Sequence, residues 1–332
     1  MYTTPFHTTD LSSKTILVTG AAGFIGSHIC EYLLRYGARV IAFDNLETGL
    51  QSNVDLFINH PNYTFIQGDL TDLESCILAA KGVDAITHQA ALGSVPRSVK
   101  YPLATHESNV TGFLNILEAA KVNNIKRVVY ASSSSVYGDS LGLPKIEDKI
   151  GNPLSPYAVS KYSDELYANV YASSFGMELI GFRYFNIFGP RQNPKGEYAA
   201  VIPLFLKAML SNDHPYLNGD GEQTRDFTFV ENAVQANIKG LFTDNKSAIN
   251  QVYNIACGER VSLKGLVASL QELTGADAVI KFREPRAGDI QDSLANISKA
   301  KKLLDYQPEF NMMDGLKITL DWFKTHQEVL GI

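Results

Sequence analysis

The residues best placed to do chemistry are a serine run, Ser132 to Ser135, followed by Tyr157 and Lys161. In Tyr157-Ala-Val-Ser-Lys161 the phenol and the ammonium stand at i and i+4, on one face of any helix. A cation beside a phenol stabilises its anion, so Tyr157 is a candidate general base for a hydroxyl group. Of the 16 tyrosines, Tyr157 alone has a lysine four residues on. Taken alone, the spacing fits an exposed helix pair equally well, and four serines fit any polar loop. Their setting separates the two readings. The serines follow directly on the strand-like run Val128-Val129-Tyr130-Ala131, and parallel α/β sheets bind ligands at the C-terminal ends of their strands. A serine hydroxyl there can relay a proton between a bound molecule and Tyr157.

A glycine-rich turn opens the same region. Gly20-x-x-Gly23-x-x-Gly26 lies between a first strand and a helix beginning near Ile25. In that setting glycines permit a tight turn and close approach of the backbone to a pyrophosphate, which then faces the helix N-terminus. A tight strand–helix turn could carry the same glycines without a ligand. Asp44 after the second strand weighs against that: a carboxylate there accepts hydrogen bonds from an adenosine ribose and repels a 2′-phosphate, which favours NAD over NADP.

These residues need a scaffold, and the first half of the chain supplies one. Residues 16–18, 40–43, 64–66, 85–87 and 128–130 read as short buried strands, with a further strand at 179–182. Helical stretches separate them; Val110, Phe113, Leu114 and Leu117 form one apolar helix face. Such alternation predicts parallel βαβ units with right-handed crossovers. After Asn186 the pattern breaks into the loop Gly189 to Gly196, a helix near Pro203, a Gly/Asp/Asn-rich stretch over 216–225, a strand at 252–255, and helices from Ser262 onward. The expected fold is α/β: a Rossmann-type doubly wound parallel sheet with a smaller mixed α/β C-terminal substrate domain. The expected division is an N-terminal tail over 1–13, an NAD-binding domain over 14–180, and a substrate domain over 181–332 whose chain returns to the first near 226–257.

The bulk properties narrow the class. With 332 residues and a net charge of −6, the chain has room for a large core and no basic surface for nucleic acid. Its longest apolar runs fall short of a membrane span, and MYTTPFHTTD is not signal-like, so the expected location is cytoplasmic. Cys30, Cys76 and Cys257 lack metal-type spacing and are expected to be plain thiols, with no metal site.

With these residues in place, the chain resembles an extended short-chain dehydrogenase/reductase. Within that superfamily it is similar to the UDP-sugar 4-epimerases, most of all the bacterial branch acting on UDP-N-acetylhexosamines. The likeness runs from about Lys14 to the C-terminus through GAAGFIG, the serine run with Val136-Tyr137-Gly138-Asp139, PYAVSKY, RYFNIFGPRQ, AAVIP, NGDGEQTRDF and RAGD. It implies a catalytic set of Ser133, Tyr157 and Lys161, Ser133 lying four before Tyr137 as the family's catalytic Ser/Thr does. It implies cofactor contacts at Phe24, Ile25, Asp44, Asn45, Asp69, Leu70, Gln89, Ala90, Ala91, Asn109 and Phe185. Around the UDP moiety it implies Asn186, Val201, Tyr216, Asn218, Arg225, Arg286 and Asp289, the arginines being suited to phosphate oxygens.

Three features bear on the substrate. Relatives that dehydrate nucleotide sugars carry an Asp-Glu pair where this chain has Ser134 and Ser135, so the resemblance favours reversible oxidation at one carbon. Ser293 stands where members restricted to non-acetylated sugars carry a bulky tyrosine, leaving room for a 2-acetamido group. The stretch Gln89 to Ser98, with Ser94, points to the same branch. The implied reaction interconverts UDP-N-acetylglucosamine and UDP-N-acetylgalactosamine with tightly bound NAD. UDP-N-acetylglucosaminuronate or UDP-glucose as substrate, a 4,6-dehydratase, and a non-catalytic NAD sensor are the competing readings. The resemblance also implies a homodimer through a four-helix bundle. Helices near 105–121 and 156–175 would build it, the second offering Tyr167, Val170 and Tyr171 as apolar surface.

Overall fold

The computed structural model describes residues 1–195, 199–284 and 291–331. Seven strands form one sheet: β1 (Thr15–Thr19), β2 (Arg39–Asp44), β3 (Tyr63–Gln67), β4 (Ala85–His88), β5 (Arg127–Ser133), β6 (Glu178–Tyr184) and β7 (Gln251–Ile255). Their order is β7-β6-β5-β4-β1-β2-β3, and every pairing is parallel. Ile16, Leu17 and Val18 have no exposed surface. Continuous apolar runs of this kind are what a sheet covered by helices on both faces requires. This is the expected Rossmann-type α/β fold, each strand running one to four residues beyond its apolar run.

The order reverses at β1. The chain builds β2 and β3 on one side, then crosses back to place β4 on the other. A crevice therefore opens at the C-terminal ends of β1 and β4. Two helices frame it, α1 (Phe24–Arg35) and α2 (Pro156–Phe175), while α3 (Val230–Phe242) packs behind on α1. The bounds of α2 have local causes. The Ser155 hydroxyl accepts the Ala158 N–H, Pro156 occupies the first turn, and Gly176 at φ +65° ends the helix. The buried face of α2 is unusual, because it carries Lys161, Asp164 and Glu165 beside Ala158, Ala168 and Tyr171. Tyr171 was expected on the exposed face; it is buried instead, its hydroxyl bonded to Glu118, while Val159, Leu166, Tyr167 and Val170 are exposed.

The helical run over 102–122 holds one π turn, Glu107–Thr111. The wider turn brings the side chain of Asn109 onto the backbone of Leu92 at 2.7 Å and the Ser160 hydroxyl at 3.0 Å. A separate core of Ile202, Leu206, Leu217, Phe229, Leu266, Leu270, Leu316 and Phe323 holds the C-terminal helices together. α3 packs on α1 and β5, and β7 pairs with β6.

The first residues form no helix or strand, yet they are firmly packed. Tyr2 is fully buried; its N–H donates to Glu231 and its hydroxyl meets Nδ1 of His28 at 2.8 Å. Phe6 stacks on Tyr32, and Arg191 reaches His28 and Glu31 of α1. Because the Arg191 guanidinium can only donate to Nδ1 of His28, the ring proton sits on Nε2, which donates to the Pro190 carbonyl at 2.9 Å. No described helix is long and apolar enough to cross a membrane.

Candidate active site

The crevice is a cleft of about 630 Å³. One wall is the glycine turn. Gly20 adopts φ +66°, and a Cβ there would lie 2.7 Å from the Ala90 nitrogen. A Cβ on Gly26 would run into the Gly20 carbonyl. Only glycine lets the turn close this tightly. No side chain caps the N-terminus of α1, so its first N–H groups are donors for an anion.

Asp44 ends β2 at the cleft edge. Its carboxylate accepts Ala22 N–H at 3.0 Å and Leu46 N–H at 2.8 Å. Burial pushes the carboxyl up, against the pull of those two bonds. Each oxygen keeps a lone pair for a ligand hydroxyl. Beside it, Asn45 donates to Asp69 at 3.0 Å. Phe24, Ile25, Leu70, Ala90 and Ala91 complete this side of the cleft. Gln89 is locked by Thr87, Asn237 and Tyr184, all within 3.0 Å.

The opposite wall carries Ser132, Ser133, Ser134, Tyr157, Lys161, Ser94 and Asn186. The serines are not equivalent. Ser132 donates to Glu165 at 2.6 Å. Glu165 in turn takes a forked ion pair from Arg183 at 2.9 and 2.7 Å, and Arg183 lies over the Tyr137 ring at 4.8 Å. Ser133 accepts twice from Ser135, from its N–H at 3.1 Å and its hydroxyl at 2.9 Å. The Ser133 hydroxyl therefore has its own hydrogen left to give.

Tyr157 opens the first turn of α2, and Lys161 follows one turn on. The Lys161 ammonium is 3.0 Å from Asp164, both side chains essentially without exposure. Burial pushes Asp164 up to about 7, although Lys161 pulls it down. His88, at the end of β4, is held down to about 3 by burial and by the Lys161 charge.

Several expected residues lie apart from this cleft wall. Asn109 is buried behind it, on Leu92 and Ser160. Phe185 is buried against Tyr137. Ser135 supports Ser133 from outside the wall. Val201 begins a helix; Tyr216 and Asn218 sit on a short strand, with Arg283 over the Tyr216 ring at 3.7 Å. Arg225 donates to the Thr224 carbonyl at 2.8 Å, and buried Ser293 donates its N–H to the same carbonyl at 3.1 Å. Arg286 and Asp289 lie outside the described residues. Among the described residues no cluster suited to a metal ion occurs.

The sequence reading missed Asp164, Glu165, Arg183 and Asn237, which brace the site. A signal existed for two of them: Asp164 and Glu165 fall three and four residues after Lys161, on its own helix face.

The chain is similar to known proteins along most of its length. The model of the NAD dependent epimerase/dehydratase family matches residues 16–256. A putative UDP-glucose 4-epimerase of Methanocaldococcus jannaschii is 38% identical over 94% of this chain and 99% of its own. Among solved structures, the UDP-N-acetylglucosamine 4-epimerase of Methanobrevibacter ruminantium M1, in complex with UDP-N-acetylmuramic acid, superposes with a TM-score of 0.89 at 39% identity, covering 94% of this chain and 99% of that one. The UDP-glucuronic acid 4-epimerase of Bacillus cereus, with UDP-glucuronic acid and NAD, gives 0.86 at 33%, with the same coverage.

Proposed function

The chain belongs to the NAD dependent epimerase/dehydratase family, and from that premise we propose that it inverts carbon 4 of a UDP-N-acetylhexosamine through a transient 4-keto sugar. The observation that carries this reading is one cleft whose walls bring the uncapped glycine turn opposite Ser133, Tyr157 and Lys161. The cleft suits NAD: N–H donors at the start of α1 for the pyrophosphate, and a carboxylate at Asp44 for a ribose. When bound there, NAD supplies reversible uptake and return of hydride at the sugar carbon.

The protein's own residues handle the proton. Tyr157 as phenolate takes the proton from the O4 hydroxyl and later gives it back. Ser133, its lone pairs taken by Ser135, donates its hydrogen to the sugar oxygen and holds that oxygen in place while Tyr157 takes its proton. Lys161 stabilises the phenolate by its charge. Inversion requires the sugar to turn over while the nucleotide stays fixed. Arg225 and Arg286, with Asn186, Val201, Tyr216, Asn218 and Asp289 around the UDP moiety, are the candidates for that grip, and the serines leave the hexose only lightly held. Ser134 and Ser135 are not acids, which supports epimerisation over dehydration.

Support for an acetylated sugar is the small side chain at Ser293 and the 39% identity to an enzyme named for UDP-N-acetylglucosamine. The relatives as a group also include enzymes named for glucose and glucuronate. The test is to incubate the purified protein with UDP-N-acetylglucosamine, without added NAD, and to look for UDP-N-acetylgalactosamine. UDP-glucose and UDP-N-acetylglucosaminuronate run in parallel. Turnover of only one of the latter two moves the substrate; turnover of none, with NAD bound, leaves a sensor. A homodimer through the exposed face of α2, with Val159, Leu166, Tyr167 and Val170, belongs to the same reading, and the molar mass in solution tests it.

A further inference from the structure

Tyr157, Lys161 and Asp164 stand at i, i+4 and i+7 on α2, so phenol, ammonium and carboxylate form one stripe along a single helix face. The stripe is dry at its inner end: Lys161 and Asp164 have 1% and 0% of their side-chain surface exposed. Asp164 binds Lys161 through one oxygen, and its other oxygen is buried without a hydrogen-bond partner. A bare anion is costly in such a place and a neutral acid far less so.

The neighbouring groups do not relieve it. Glu165, on the same helix, is committed to Arg183 of β6 and to Ser132. From β5, Tyr130 feels both carboxylates; from β4, His88 feels Lys161. The helical run over 102–122 presents the neutral Asn109 to Ser160. Among the described residues, Lys161 and Glu165 are the charges that act on Asp164.

We propose that Asp164 is a positioning residue that fixes the Lys161 ammonium and sets how much of its charge reaches the Tyr157 phenol. With Asp164 neutral, Lys161 acts on the phenol as a full cation. With Asp164 ionised, the pair is neutral overall and the phenolate loses most of that support. The proton moves on and off the Asp164 carboxyl from solvent; no other bond changes. Activity thus responds to two opposed titrations: rising pH frees the phenol of its proton and, by ionising Asp164, weakens the cation that helps it do so. This inference rests on the reading of Tyr157 as the base.

The test compares the NAD-loaded wild type with Asp164→Asn, which keeps an acceptor for Lys161 and removes the charge. The pH profile of kcat for epimerisation and the ultraviolet titration of the Tyr157 phenolate, isolated by difference against Tyr157→Phe, are both followed. The expected result is an acid limb and a phenolate titration displaced to lower pH by about one unit, the size expected for one charge two helical turns away. A uniform loss of kcat with the limb in place, or no change, overturns the proposal. Should Asp164→Asn fail to fold, Asp164→Ser carries the same comparison. If Tyr157→Phe keeps its turnover, it is the assignment of the base that fails, whatever the position-164 variants show.

Discussion

Ser133 matters through what its neighbours leave it. Ser135 fills its lone pairs, so the hydroxyl can only donate, as a group holding a developing oxyanion must. Ser133→Ala is expected to lower kcat about 100-fold, whereas Ser135→Ala, which removes one of two supporting bonds, lowers it less; initial rates at saturating substrate distinguish them. Tyr157→Phe removes the proposed base and is expected to cost about 1,000-fold or more while leaving NAD bound, which the cofactor released on denaturation would measure. The residues proposed to touch the reaction were legible in the sequence, because strand ends and i,i+4 spacing are local properties. The residues that brace them were not. Asn237 locks Gln89 from 148 residues away, and no local pattern announces a partner so remote.

At the scale of elements, α2 departs from the usual amphipathic rule. Its buried stripe carries three charged side chains, and a periodicity argument that counts apolar residues cannot see that face. The forked pair of Glu165 with Arg183 makes the arrangement tolerable. Removing one partner strands the other, so Glu165→Ala is expected to lower stability by about 3–5 kcal/mol, read as a fall in the thermal midpoint with the protein still dilute and monodisperse. The glycine turn is a second element with no slack. Gly26→Ala drives a methyl into the Gly20 carbonyl, and the expected outcome is loss of bound NAD together with a lower midpoint, measured on the same purified sample. The sheet itself was legible almost strand for strand, since buried parallel strands are short continuous apolar runs. The packed N-terminal segment was not, because MYTTPF carries no period; Tyr2 is held by partners at 28, 32 and 231.

For the whole molecule, buried acids set a pH dependence of stability. Burial raises Asp164 and Asp226 to about 7 each, from an ordinary value near 3.8. Between those limits the folded chain holds protons that the unfolded chain has released, so these two groups make stability fall as pH rises from about 4 to about 7. The exposed Asp10, Asp72 and Asp139, shifted down by their hydrogen bonds, act the other way at lower pH. Urea midpoints taken across that window are expected to decline less steeply for Asp164→Asn than for the wild type. The lashing of Tyr2 also has a consequence in time. Its bond to Glu231 spans 229 positions of the chain, so docking Tyr2 closes a very long loop. Contacts that close so long a loop form late, and what they contribute is resistance to opening rather than speed of folding: Tyr2→Ala should hasten unfolding and leave the folding rate nearly unchanged.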